Sequence, residues 1–150
     1  MKALNFPSYN FKIIQEGKKT KIFDAIRGGF FVLTPEEWVR QHLIQFLVEE
    51  RNYPKGLIAV ERGLKINGLQ KRFDGLVYKK DASPIMLIEC KAPHIEITQA
   101  TLDQVSRYNL NFKLPYLLVS NGLQHCCAKV DWSNKSFVFL EDIPFYETLQ

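Results

Sequence analysis

Hydrophobic and polar positions alternate along this chain with two different periods, and the change from one to the other marks out its elements. From Asn5 to Leu33 the pattern leans towards strand: Phe11-Lys12-Ile13-Ile14 and Lys21-Ile22-Phe23 flank Glu16-Gly17-Lys18-Lys19, which has the composition of a hairpin turn. Gly28-Gly29 interrupts the chain before Phe30-Phe31-Val32-Leu33. At Thr34 the period becomes helical and stays so to about Arg51. Thr34 is a good N-cap, Pro35 takes the first helical position, and Glu37 is placed to complete a capping box. At about 100° per residue Val39, Leu43, Phe46 and Leu47 form the inner stripe, with Glu36 at its centre.

Beyond the connection Asn52-Tyr53-Pro54-Lys55-Gly56 the strand pattern returns. Leu57-Ile58-Ala59-Val60-Glu61-Arg62 is one predicted strand, and Asn67-Gly68 is a hairpin signal leading into the next, which continues from Asp74 through Leu76-Val77-Tyr78. Lys79 to Ser83 is a polar turn, and Pro84 to Ile88 is an apolar run of buried-strand length. Thr98 or Thr101 caps a second helix through about Tyr108, with Leu102, Val105 and Tyr108 on adjoining faces. Leu114 to Ser120, Leu123 to Val130 and Ser136 to Leu140 are the last predicted strands. The order helix, three strands, helix, strands predicts an α/β protein, a mixed sheet with helices on its faces behind an N-terminal β-rich extension.

Two neighbouring strands of this plan carry charges that a core would exclude. Asp74 opens one; Glu89 and Lys91 close the next and, two residues apart in a strand, project together while Cys90 faces away. If the strands pair as a hairpin, all three meet at one edge of the sheet. Two carboxylates and an ammonium converging there are costly as plain packing and make sense as a site. The carboxylates are hard oxygen donors suited to Mg²⁺ (or Mn²⁺), which keeps several waters and commonly meets phosphate. A lysine beside such an ion can activate bound water, and the product of that chemistry is phosphodiester hydrolysis. The plain alternative is an exposed hairpin with an ordinary Glu–Lys pair. For Glu36 two readings stand: an acid facing a metal, or an acid in a solvated first turn favoured by the helix dipole.

Asp74 followed fifteen residues later by Glu89-Cys90-Lys91 resembles the PD-(D/E)xK nuclease superfamily, with Phe73 where the proline of the motif would stand. The resemblance narrows through Thr34-Pro35-Glu36-Glu37-Trp38-Val39-Arg40-Gln41, Lys71-Arg72-Phe73-Asp74, Ile88-Glu89-Cys90-Lys91-Ala92, Gln104-Val105-Ser106-Arg107-Tyr108 and Ser120-Asn121-Gly122. Across roughly residues 30 to 130 these look like the N-terminal nuclease domain of type I restriction enzyme R subunits. The resemblance implies a restriction-endonuclease-like fold. It also implies Mg²⁺-dependent DNA cleavage, with Asp74, Glu89 and the Cys90 backbone carbonyl as metal ligands and Lys91 activating water. Glu36 would be the helix-borne acid, and Gln104 and Tyr108 would orient substrate. DNA and the other proteins of a restriction or defence complex are the partners implied. No P-loop accompanies these motifs, so the resemblance bears on fold and site rather than on the translocating motor to which that family's nuclease domain is fused.

Composition adds bounds. A chain of 150 residues, 46% hydrophobic, suits one domain, divided into a lead-in over 1–33, a nuclease-like core over 34–130 and a C-terminal strand and tail over 131–150. The net charge of +4 suits a nucleic-acid partner. There is no signal-peptide pattern and no run of membrane-spanning length, and three cysteines without a spaced framework point to reduced thiols and a cytoplasmic location. His125-Cys126-Cys127 lacks a second ligand pair for zinc and is expected to serve packing. The competing function is a non-catalytic nucleic-acid-binding or assembly module that keeps the nuclease fold; a purely structural ion-pair network is the third reading.

Overall fold

The computed structural model describes residues 1–66 and 68–149, so the Asn67 half of the Asn67-Gly68 hairpin signal lies outside the described residues. Strands β1 (Ile13–Glu16), β2 (Lys19–Asp24) and β3 (Gly29–Val32) form an antiparallel three-stranded sheet. Glu16 pairs with Lys19 across Gly17, whose φ of +61° supplies the left-handed step that a tight hairpin needs. Helix α1 (Pro35–Glu50) follows, its first turn closed by Thr34, whose hydroxyl accepts the Glu37 N–H at 3.0 Å.

The main sheet has six strands in chain order: β4 (Ile58–Ile66), β5 (Leu69–Tyr78), β6 (Pro84–Cys90), β7 (Tyr116–Ser120), β8 (His125–Asp131) and β9 (Ser136–Leu140). All neighbours are antiparallel except β6 and β7. A parallel pair needs a crossover, and helix α2 (Gln99–Asn109) lies within it. Thr98 and Thr101 cap α2 reciprocally, so both candidate caps are used.

The two helices cover opposite faces. Val39, Leu43 and Leu47 of α1 pack with Val77, Met86, Ile88, Cys90 and Leu118. Val105 of α2 packs with Leu76, Leu87, Leu117 and Val119. β7 is buried at every position because its alternate side chains serve these two layers in turn, which is why its sequence is apolar without a polar phase. The expected packing role of His125-Cys126-Cys127 holds: Cys127 is in the α1-side core, and His125 Nδ1 bonds Ser120 Oγ at 2.8 Å.

The first turn of α1 departs from expectation. Glu36 is exposed, whereas Glu37 is 5% exposed. The Glu37 backbone takes the cap bond, but its carboxylate turns inward instead of closing a capping box. It receives Arg27 Nη2 at 2.7 Å, Gln41 Nε2 at 3.0 Å and both Nε and Nη2 of Arg40. Arg27 also holds the buried Asp24 of β2 at 2.6 Å, so the cluster ties the small sheet to the helix. Phe46 lies at the margin of the core rather than in its centre, and Ile44 takes the buried place beside Leu43.

A buried carboxylate between two guanidinium groups costs desolvation to form, but removing it leaves the buried cations without their partner, which costs more. Glu37→Gln should lower unfolding stability by on the order of 3 kcal/mol, because Arg27 and Arg40 lose a charge partner in a dry setting. Glu36→Gln should stay within about 0.5 kcal/mol of the parent, as for surface changes generally. Urea midpoints at constant slope would measure both. Equal midpoints for the two variants would contradict the assignment of the buried role to Glu37.

Candidate active site

The β5–β6 register brings the acids together. Gly75 pairs with Ile88, and the same register places Asp74 opposite Glu89. A Cβ at Gly75 would meet Ile88 Cβ at 3.1 Å, so glycine permits the close approach of the two strands beside the acids. Asp74 is then fixed across the strands: its Oδ2 accepts the Cys90 N–H at 2.7 Å. Lys91, two residues beyond Glu89, shares that face, while the Cys90 side chain is buried in the α1 layer.

β5 changes phase at this point. Phe73 and Leu76 belong to the same packing layer although strict alternation would put residues three apart on opposite faces. Asp74 sits inside the change. On β4, Glu61 lies opposite and adopts a φ of 53°, in the left-handed region that a non-glycine residue seldom occupies. Its carboxylate is paired with Arg40 Nη1 and, at 3.0 Å, with Arg72 Nε. The same Arg40 Nη1 lies 3.6 Å from Asp74 Oδ1.

These contacts leave the charges unevenly matched. The Glu89 carboxyl is pushed up to about 9, first by burial and then by the hydrogen-bonded proximity and charge of Asp74, with Lys91 opposing. Glu36 is also raised, by burial and then by Asp74, against the pull of Lys91 and Arg40. Exposed at the start of α1, Glu36 is therefore within electrostatic reach of Asp74 and Lys91. Glu37 spends its carboxylate on the arginines.

Gln104 and Tyr108 of α2 reach the site from the other side. With Glu89, Lys91, Lys71 and Phe73 they line a cleft of about 270 Å³. Lys71 Nζ stands 4.9 Å over the Tyr108 ring. Asp74 and Glu36 are not in the lining of this cleft; Asp74 stands beside Arg40 of α1, and Glu36 is exposed at the start of that helix. The cleft thus brings together Glu89, Lys91, Gln104 and Tyr108, and charge coupling joins Asp74 and Glu36 to them.

Among the described residues no group of three or more His, Cys, Asp or Glu is arranged as a metal cluster. The donor set that suits a hard cation is the pair of carboxylates of Asp74 and Glu89 with the Cys90 carbonyl, two acids and a neutral oxygen. The Glu89 carboxyl is raised first by burial and then by the neighbouring Asp74, so the two acids sit close enough to repel. Sequence reasoning missed Arg40 and Glu61. A signal for Arg40 was present, since it stands next to Val39 on the buried side of α1 and three residues after Glu37; Glu61 offered none beyond an acid within an apolar strand.

The comparisons with known proteins bear on fold and family. No curated protein sequence matches the chain. A solved structure described as a fragment of a putative HsdR subunit of a type I restriction enzyme from Vibrio vulnificus YJ016 aligns with a TM-score of 0.54 at 21% identity, which is a likeness of fold. The alignment covers 78% of this chain and 24% of that one, so the chain spans about a quarter of that relative's length. The sequence matches the family described as type I restriction enzyme R protein N terminus (HSDR_N) over residues 35–144, which takes in α1, α2, all six strands of the main sheet and every candidate site residue. The chain belongs to that family of type I restriction enzyme R protein N-terminal domains.

Proposed function

We propose that this domain hydrolyses phosphodiester bonds of DNA with Mg²⁺ or Mn²⁺, as the nuclease element of a larger restriction-type assembly. The observation that carries the reading is the convergence of Asp74, Glu89 and Lys91 across the inner strands β5 and β6, near the end of β6, with Glu89 held up to about 9 by burial and by Asp74. Family membership supports the same reading, and the net charge of +4 agrees with a polyanionic substrate.

The roles follow from position. Asp74 and Glu89, with the Cys90 carbonyl, would hold the ion. When bound, the ion supplies Lewis-acid polarisation of the phosphoryl group and a more acidic water. Lys91, on the same face as Glu89, holds and activates the attacking water, whose oxygen bonds to phosphorus as the P–O ester bond breaks. Glu36 assists from the helix end, through its coupling to Asp74 and Lys91. Gln104 and Tyr108 orient the phosphate across the cleft by hydrogen bonds. Arg40 holds Asp74 and Glu61 in place behind it.

The raised Glu89 gives a test that needs no turnover. Without a divalent ion, the folded chain holds the Glu89 proton more tightly than the unfolded chain does. Stability should therefore fall as pH climbs from the ordinary 4.5 towards about 9, since the native state binds the extra proton throughout that window. Glu89→Gln should flatten the fall. Binding Mg²⁺ or Mn²⁺ at neutral pH should raise the melting temperature and release about one proton per ion, read by calorimetry in buffers of different ionisation enthalpy. Ion binding without proton release, or with Asp74→Ala binding as well as the parent, would place the ion elsewhere.

Cleavage supplies the second test. Lys91→Ala should retain the ion, because both carboxylates remain, and should cut DNA slower by a factor on the order of 10². Asp74→Ala should lose ion and activity together. Glu36→Gln should reduce cleavage at unchanged stability. A wild-type chain that cuts neither DNA nor RNA, alone or with the proteins it assembles with, would leave the non-catalytic module as the correct reading.

A further inference from the structure

The flank of α2 that turns away from the acids borders a second cavity, of about 420 Å³. At about 100° per residue, Gln104 and Tyr108 lie on one side of the helix and Ser106 and Leu110 on the other, with Arg107 between them, about 60° from Gln104. The cavity is closed by the loop after α2, which brings Lys113, and by the β8–β9 hairpin, which brings Trp132, Lys135 and Phe137. Three cations thus surround an opening with two aromatic rings. Among the described residues no carboxylate lines it, and none of the three cations is in an ion pair. The nearby Asp131 is spent within its own hairpin, accepting from the Ser133 and Asn134 N–H groups and the Asn134 side chain.

Two of these lysines stand where the backbone would choose otherwise. Lys113 has a φ of 55° and Lys135 a φ of 51°. The first lies in the turn that ends α2, its N–H bonded to Asn109 O at 2.7 Å; the second lies in the hairpin turn. Left-handed positions in such turns favour glycine or asparagine. A lysine there costs conformational energy that the turn does not require, and at two separate turns the same cost brings a cation to the same opening. The loop of Lys113 is also fixed in place, since the buried Asn109 side chain donates to Leu114 O and accepts from Leu114 N, each at 2.9 Å.

We infer that this cavity binds single-stranded DNA, with Arg107, Lys113 and Lys135 on phosphates and a base against Trp132 and Phe137. A positive surface with aromatic platforms is the usual means of holding single strands. Phe137 is 41% exposed, as a stacking ring must be, and the apolar depth of the cavity suits a base better than it suits a duplex backbone. The inference rests on the reading that DNA is the substrate. A strand leaving the cleft at Tyr108 would cross α2, about 10–12 Å wide with its side chains, to reach the cavity. The nuclease site would then act on DNA whose flank is already unpaired.

The test is binding in EDTA, which removes cleavage from the measurement. In a Trp38→Phe background Trp132 is the sole tryptophan, and its emission should change as oligothymidylate is added. Lys113→Gly/Lys135→Gly should melt at or above the parent temperature, since glycine relieves both turns. It should bind the single strand at least tenfold more weakly at low salt. The slope of log affinity against log salt should shrink by about 1.4, about 0.7 for each lost phosphate contact. An unchanged slope, a silent Trp132, or an equal loss of affinity for duplex of the same length would overturn the inference. A parent chain that binds the single strand as expected but cuts no DNA when the divalent ion is restored would instead count against the nuclease reading and leave this one standing.

Discussion

The site depends on one buried cation. Arg40 is 6% exposed, and its guanidinium grips Glu37 of its own helix and Glu61 of β4 while standing 3.6 Å from Asp74 of β5. Its protonated form is favoured by those carboxylates against the burial that opposes it. A charge taken out of water in this way is tolerable only when its partners are all present. The consequence is mutual: α1 cannot shift along the sheet without stranding the arginine, and the strands cannot shift without stranding their acids. Through Glu37 the same constraint passes to Arg27 and Asp24, and so to the small sheet.

What Arg40 supplies on one side it cannot supply on the other. Its donors are taken up towards α1 and β4, and Glu89, on the far side of Asp74, is left with Lys91 as the cation that lowers its pKa. Three carboxylates, Glu36, Asp74 and Glu89, are coupled to one another at this site. The cheapest state without a further cation is one in which Glu89 keeps its proton. A divalent ion bound as proposed would replace a proton and a repulsion with two attractions. The cleft itself is lined by the cations Lys71, Arg72 and Lys91 with Glu89 as its one carboxylate, so the crowding of acids is confined to Glu89, Asp74 and Glu36.

Much of this was legible in the sequence because it depends on short-range pattern. The Thr34 cap, the Val39-Leu43-Leu47 stripe, the apolar β7 and the Asp74-to-Glu89 hairpin each follow from period and turn chemistry alone. The choice between Glu36 and Glu37 did not, because neighbouring residues of a first turn differ by about 100° and either can be drawn inward by a partner. That partner, Arg27, comes from the lead-in, whose docking no local pattern encodes. The phase change of β5 at Asp74 was equally hidden: alternation predicts which face a residue takes only while the strand stays regular.

The left-handed backbone positions were the least legible of all. Glu61, Lys113 and Lys135 are charged residues with a φ near +50°, and nothing in a glutamate or a lysine announces a turn. Strain of this kind persists where the surroundings hold it and something repays it. For Glu61 the repayment is visible, in the pairs with Arg40 and Arg72 that face Asp74. For the two lysines no internal partner among the described residues fills that role, and their charges point to a common opening across α2 from the acids. Helix α2 borders two openings, with Gln104 and Tyr108 towards the cleft and Ser106, Arg107 and Leu110 towards the cavity with the lysines. A helix that merely closed the β6–β7 crossover would need only the Val105 face, which packs on the sheet.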